Sequence, residues 1–137
     1  MRTRLEAHKI RDEHIRKIEE VSAQSVYRCY QCGKCSAACP ATPEMDMLPN
    51  QVIRYLQLGL EERVLDANTP WICASCLQCR AVCPKGVDLA RIMEAVRMLQ
   101  LRKGRNRIEI RRFPAEYLQR APQIALISAY RKFQSLS

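Results

Sequence analysis

Every cysteine of this chain belongs to one of two runs of the same form, C-x2-C-x2-C-x3-C-P. The first is Cys29, Cys32, Cys35 and Cys39 with Pro40. The second, 44 residues on, is Cys73, Cys76, Cys79 and Cys83 with Pro84. Three thiolates at that short interval can turn into one tight loop and take three corners of an iron–sulfur cubane. The fourth, one residue further off and halted by proline, points away from that loop. Where two such runs share a chain, the fourth cysteine serves the cluster of the other run. The pattern therefore predicts two 4Fe–4S clusters with crossed ligands. Cys29, Cys32, Cys35 and Cys83 would hold the first, and Cys73, Cys76, Cys79 and Cys39 the second. The chemistry of such centres is one-electron transfer.

Other uses of eight cysteines fit less well. Structural zinc takes four ligands, usually two separated C-x2-C pairs, and would leave a third cysteine of each run unexplained. Disulfides belong to secreted chains, whereas the opening Met1-Arg-Thr-Arg-Leu-Glu6 has no apolar signal segment. Bridges between cysteines this closely spaced would also be strained. Eight ligands for two clusters leave no thiol over for disulfide chemistry, so no active site of the chain's own is expected. Reduced thiolates and the lack of a signal point to the cytoplasm, and no stretch reaches the roughly 18–20 apolar residues of a membrane span.

The 137 residues amount to one domain's length, and their net charge of +9 is unevenly spread. Residues 1–28 carry seven Lys/Arg against five Asp/Glu, residues 29–101 seven against seven, and residues 102–137 nine against two. The cluster region is thus neutral and the tail basic. Each loaded cubane would add roughly −2. A basic tail on a neutral body fits docking to a larger, acidic partner. The plainer reading is a solvated tail that aids solubility. No helix-turn-helix, zinc finger or pattern of stacking aromatics accompanies the charge, so nucleic acid is not expected as a partner.

The elements that must position the cysteines read as helices. Residues 3–26 form an amphipathic pattern with Leu5, His8, Ile15, Ile18 and Val21 leaning to one stripe, and no proline or glycine interrupts it, which predicts one long N-terminal helix. His8 and His14 fall on its solvated side, with no ligand role expected. Between the runs, Leu48–Leu60 reads as a helix, with Pro49 in its first turn, Val52, Ile53, Leu56 and Leu60 on one face, and Gly59 near its end. Glu61–Leu65 adds a short helical turn. Trp71 is expected to shield a cluster from water. Asp88 is a good N-cap for a helix through Lys103, whose apolar face is Leu89, Ile92, Met93, Val96 and Leu99. Residues 107–111 alternate like a strand. A helix could start at Pro114, and Pro122 interrupts it. The many apolar residues of the tail read as a surface for a partner, or else as folding back on the body. The class is all-α. The chain divides into an N-terminal helix (1–28), a two-cluster domain (29–104) and a basic C-terminal tail (105–137).

Over roughly residues 25–104 this pattern resembles the C subunit of heterodisulfide reductase. The resemblance rests on Cys29-Tyr-Gln-Cys-Gly-Lys-Cys35 through Cys39-Pro40, on Met47-Leu-Pro-Asn-Gln-Val-Ile-Arg54 with Leu58-Gly-Leu-Glu-Glu62, and on Trp71-Ile-Cys-Ala-Ser-Cys-Leu-Gln-Cys-Arg-Ala-Val-Cys-Pro-Lys-Gly-Val-Asp88. It implies an α-helical ferredoxin fold with two 4Fe–4S clusters on the eight cysteines. It also implies a role in a hetero-oligomer, passing electrons from a flavin- and cluster-bearing A-like subunit to a cysteine-rich, disulfide-reducing B-like subunit. An iron–sulfur subunit of a glycolate or glycerol-3-phosphate dehydrogenase type complex is the alternative, and a DNA-binding redox sensor a more distant one. The chain has no dinucleotide fingerprint and no P-loop, so electrons must arrive from one protein and leave to another. Lys34, Arg80 and Lys85 lie beside ligands, where their charge would favour a reduced cluster.

Overall fold

The computed structural model describes residues 5–135, which contain helices and no strand. They form two compact units that part between Val96 and Arg97. The first unit contains α1 (Glu13–Ser22), α2 (Lys34–Ala38), α3 (Pro49–Gln57), α4 (Glu61–Asp66), α5 (Thr69–Ile72) and α6 (Gln78–Ala81), and the divide falls inside α7 (Leu89–Leu101). The fold is the all-α, ferredoxin-like arrangement that the residues imply.

The core of the first unit comes from the apolar faces the periodicity picks out. Ile15 and Ile18 of α1, Val52, Ile53 and Leu56 of α3, Val64 of α4, Trp71 of α5, and Leu89, Ile92, Met93 and Val96 of α7 are buried, with Val26 between α1 and the first cysteines. Each such side chain contributes on the order of 1.5–3 kcal/mol through apolar area removed from water. Pro49 opens α3, where its missing N–H costs nothing, and the Gln51 side chain reaches back to accept from the Leu48 N–H at 3.0 Å. Gly59 follows with φ +69°, and a β-carbon there would collide with the Lys9 carbonyl. Only glycine fits.

The single long N-terminal helix does not form. A 3-10 turn at Ala7–Lys9 is followed by Arg11 at φ +68°, and α1 begins only after Asp12, whose carboxylate accepts from the Glu13 N–H at 2.6 Å. The break needs neither proline nor glycine. Asp12 offers the chain a cap, Lys9 closes on Gly59, and the Arg11 guanidinium stacks 5.0 Å from the centre of the Tyr27 ring. His8 in the 3-10 turn and His14 in α1 are both exposed.

The second unit corrects the reading of the tail. Residues 107–111 form no strand, because an alternating segment is a strand only when a neighbour takes up its backbone groups. The Arg107 N–H donates to the Phe133 carbonyl, and a 3-10 turn follows at Ile110–Arg112. Pro114 and Pro122 each stand just before a helix, α8 (Ala115–Arg120) and α9 (Gln123–Phe133). Pro122 interrupts as expected, since Ala121 before it is extended at ψ 136° and closes α8, and it also starts the longer helix, whose last turn carries Arg131 and Lys132, suited to its negative end. Phe113 stacks on Tyr117 at 5.4 Å, while Tyr117, Ile124, Ile127 and Tyr130 are exposed. Among the described residues, no helix is long and apolar enough to cross a membrane.

Candidate iron–sulfur centre

The two cysteine runs follow the same backbone path. Gln31 and Ser75, two residues after the first cysteine of each run, have φ +64° and +55°. Gly33 and Leu77, each following the second cysteine, have φ +78° and +63°. Only one of these four residues is glycine, so the left-handed path is held at a cost of order 1 kcal/mol or more per non-glycine position. Such a path turns successive backbone N–H groups toward the inside of the loop. The Gln31 N–H lies 3.4 Å from Cys29 Sγ, with the Gln31 side-chain amide at 3.5 Å, and the Val87 N–H lies 3.3 Å from Cys83 Sγ. A short helix follows each loop, α2 after the first and α6 after the second, and α2 packs against α6. That contact brings the runs side by side.

The cysteines gather across the repeat. A small cavity is lined by Cys73, Cys76 and Cys79 of the second run together with Cys39 of the first, closed by Leu77 and Ala90. On the other side, the Tyr30 hydroxyl donates to Cys32, and the charges of Cys83 and Cys29 add to the raising of its phenol. Cys39, the last cysteine of the first run, thus stands with the first three of the second. All eight are free thiols, and the second of each run, Cys32 and Cys76, is exposed while the other six are half-buried. Eight free thiols in two neighbouring runs, with backbone N–H donors turned toward sulfur, suit iron–sulfur cubanes, whose ligands must lose their protons to bind.

The thiol environments differ along each run. Burial pushes the Cys79 thiol up to about 11, with the charge of Cys73 adding to it, and burial likewise raises Cys35, the matching residue of the first run. At exposed Cys32 the balance reverses: the Lys34 N–H, then the Tyr30 hydroxyl, hold the thiol below its usual range. The same contact, in which Tyr30 donates to Cys32, leads the causes that raise the Tyr30 phenol.

Polar side chains that the cysteine spacing does not single out fasten the loops. The Gln57 amide donates 2.8 Å bonds to the carbonyls of both Val26 and Cys29, tying the entry of the first run to α3. Ser36 of α2 donates to the Asn50 side chain at 2.6 Å and accepts from the Asn50 N–H at 3.0 Å. Before the second run, Asp46 accepts from the N–H groups of Asn68 and Thr69 and from the Thr69 hydroxyl, all within 2.9 Å, so a remote carboxylate caps α5. Burial works against that carboxylate, but these hydrogen bonds outweigh it and keep Asp46 below its ordinary value. Asp88 caps α7 by accepting from the Arg91 N–H at 3.2 Å, as its position predicts. Its N–H also donates to Gln24, 64 residues away, at 2.9 Å. The Thr69-Pro70 helix start is a visible local signal; the carboxylate that meets it, 23 residues upstream, is not.

The three cations beside the ligands are not equivalent. Arg80 is committed to Asp88, Nη1 to Oδ2 at 2.9 Å, so its charge is largely cancelled where it stands. Lys85 sits over the Tyr30 ring at 5.8 Å. Lys34 acts on Cys32 chiefly through its backbone N–H and secondarily through its charge. Trp71 is buried in the helix leading to Cys73, as a packing role requires.

In this helical frame, which brings the two cysteine runs side by side, residues 25–87 match the family model described as "4Fe-4S dicluster domain". The chain is also similar to the iron–sulfur C subunit of the CoB–CoM heterodisulfide reductase of Methanopyrus kandleri, 37% identical over 86 residues that make up 63% of this chain and 45% of that protein. It is 37% identical over 83 residues to a protein of Archaeoglobus profundus named as like the heterodisulfide reductase C subunit, covering 60% and 44% of the two chains. With the C subunit of the ferredoxin:CoB–CoM heterodisulfide reductase of Methanosarcina mazei it shares 29% over 100 residues, 73% of this chain and 62% of that one. Over its dicluster region the chain is thus similar to heterodisulfide reductase C subunits. It spans a little under half the length of the first two of these relatives.

Proposed function

We propose that this chain is an electron-transfer subunit of a heterodisulfide reductase-type complex, holding two 4Fe–4S clusters by crossed ligation. Cys29, Cys32, Cys35 and Cys83 hold one cluster; Cys73, Cys76, Cys79 and Cys39 hold the other. The observation that carries the reading is the cavity in which Cys39 joins the three loop cysteines of the opposite run. When bound, each cluster supplies one-electron exchange. The chain's own residues do the rest. The N–H groups of Gln31 and Val87 donate toward thiolate sulfur and favour the more negative state, and Ala90 and Leu77 line the space around the second group. Exposed Cys32 and Cys76 mark the edges where a partner can approach.

The resemblance implies an A-like flavin and iron–sulfur subunit on one side and a B-like cysteine-rich subunit on the other, in a hetero-oligomer within a reducing, cytoplasmic compartment; the names of the relatives support a heterodisulfide reductase-type complex. Those names favour this assignment over a glycolate or glycerol-3-phosphate dehydrogenase type complex. The basic segment after residue 104 is then a docking element for an acidic surface of such a partner.

Protein purified without oxygen should contain about eight irons and eight acid-labile sulfides per chain. Cys39→Ser is the decisive variant. Its absorption and paramagnetic spectra should reproduce the loss seen in Cys76→Ser, not the one seen in Cys32→Ser. A match to Cys32→Ser would mean that each run holds its own cluster, and zinc without sulfide in the parent protein would end the reading altogether. Anaerobic capture with the tagged chain should retain a flavoprotein and a cysteine-rich protein; a 2-hydroxy-acid oxidase in their place would favour the alternative complex.

A further inference from the structure

Away from the cysteines, a second set of metal-ligating side chains converges. Asp12 at the start of α1, His14 in its first turn and Glu61 at the start of α4 each bring one ligand atom to within 4.8 Å of the other two. His14 Nδ1 lies 3.8 Å from Asp12 Oδ2 and 3.8 Å from Glu61 Oε1. Those separations are too long for hydrogen bonds, so the three groups do not satisfy one another by sharing protons.

Glu61 is the informative member. Its side chain is only 9% exposed, and its Oε2 is buried with no hydrogen-bond partner. A carboxylate taken out of water without a donor is costly unless a cation meets it. Asp12 spends Oδ1 on capping α1, which leaves Oδ2 turned to His14. One imidazole and two carboxylates therefore face a common point, from three residues whose charges sum to −2 with His14 neutral.

We propose that Asp12, His14 and Glu61 form a site for one divalent transition-metal ion of the zinc type, with water completing its coordination. The imidazole selects against calcium and magnesium, which take oxygen ligands, and two carboxylates without a thiolate select against soft monovalent copper. Bonds of about 2.0–2.2 Å to nitrogen and oxygen ask for ligand atoms roughly 3.0–3.5 Å apart. The two separations from His14 must contract by a few tenths of an ångström and the Asp12–Glu61 pair, within 4.8 Å, by up to roughly 1.5 Å; exposed His14 and half-buried Asp12 have room to move. The ion would tie the segment before α1 to the turn before α4, at the point where the Lys9 backbone already closes on Gly59. It would therefore brace the N-terminal segment against the cluster domain. This inference does not rest on the cluster assignment.

The test uses the full chain with its clusters in place, under nitrogen, after a brief chelator wash, titrated with Zn2+ by calorimetry and checked by metal analysis. The expected result is one zinc per chain beyond the iron content, with iron and sulfide unchanged by the titration. His14→Ala should bind at least about tenfold more weakly, and so should Asp12→Asn, which keeps an oxygen for the helix cap. The iron content of both variants should equal that of the parent. No zinc uptake by the parent would overturn the site and leave His14 in a simple ion pair with the carboxylates. Equal uptake by parent and both variants would assign the zinc to thiolates and overturn it as well. The iron count reports on the cysteines separately, so failure here is distinguishable from failure of the cluster reading.

Discussion

Asp88 offers the sharpest test of how the second cysteine run is held. The residue is 1% exposed; its carboxylate accepts from the Arg91 N–H as the cap of α7, and from Arg80, the residue after Cys79, at 2.9 Å. Asp88→Ala removes both contacts, and with them a longer, exposed ion pair to Arg91 Nε at 3.7 Å. Loss of the cap should cost about 1 kcal/mol. A charge-assisted hydrogen bond is worth about 1.5–3 kcal/mol when buried, but the Arg80 side chain is 54% exposed and returns to water when released. The second contribution is therefore discounted to about 1 kcal/mol. Together they give about 2 kcal/mol, or roughly a 30-fold increase in local opening. Amide hydrogen exchange on the cluster-loaded protein, followed by mass spectrometry over residues 87–95, reads that factor directly without a global unfolding transition. Asp88→Asn keeps the capping oxygen and loses the charge, so it should accelerate exchange by only about fivefold, the equivalent of about 1 kcal/mol. An alanine variant within about a factor of three of the parent (under about 0.7 kcal/mol) would refute the reasoning. So would an asparagine variant as fast as alanine, because the cap would then contribute nothing.

Other outcomes follow from the same frame. Asp46→Ala should cost about 1–2 kcal/mol by uncapping α5, seen as a lower midpoint in anaerobic thermal melts. Because the folded state keeps Asp46 below the ordinary carboxylate value, its stabilisation is complete above the unfolded value, near pH 4, and is lost as pH falls through the folded one. The gap between parent and Asp46→Ala melts should accordingly be widest at neutral pH and close under acid; a gap that widens on acidification would refute the assignment. Gly59→Ala, with φ +69° and the Lys9 carbonyl in the way, should destabilise by about 1–3 kcal/mol and loosen residues 9–12 in hydrogen exchange. Truncation after residue 104 should leave iron and sulfide at the parental level while weakening capture of partner proteins. Loss of iron on truncation would instead make the second unit necessary to the first.

The cysteine arithmetic is legible in the residue order alone, because ligand spacing is a local property of the chain: the form of the two runs, their 44-residue offset and the closing prolines are all written there. Helices α3, α4 and α7 are equally legible, since a one-sided apolar face with proline at the start, or an aspartate cap, is also a local signal. The division of charge between a neutral cluster region and a basic end is likewise a matter of counting.

The features that the residue order hides are set by partners distant along the chain. The break before α1 depends on Asp12 acting as a cap while Lys9 meets Gly59, some fifty residues away. The alternating segment at 107–111 finds no sheet to join, and Pro122, besides interrupting α8, opens a second helix. Arg80 reads as available to a cluster, but the fold gives it Asp88. Asp46 meeting Thr69, and His14 meeting Glu61, have no signature in the order of residues. Short-range spacing dictates which atoms can bind metal and which segments can be helical. Only packing, by bringing distant polar groups into the same low-dielectric space, decides which of them satisfy one another and which are left to bind something else.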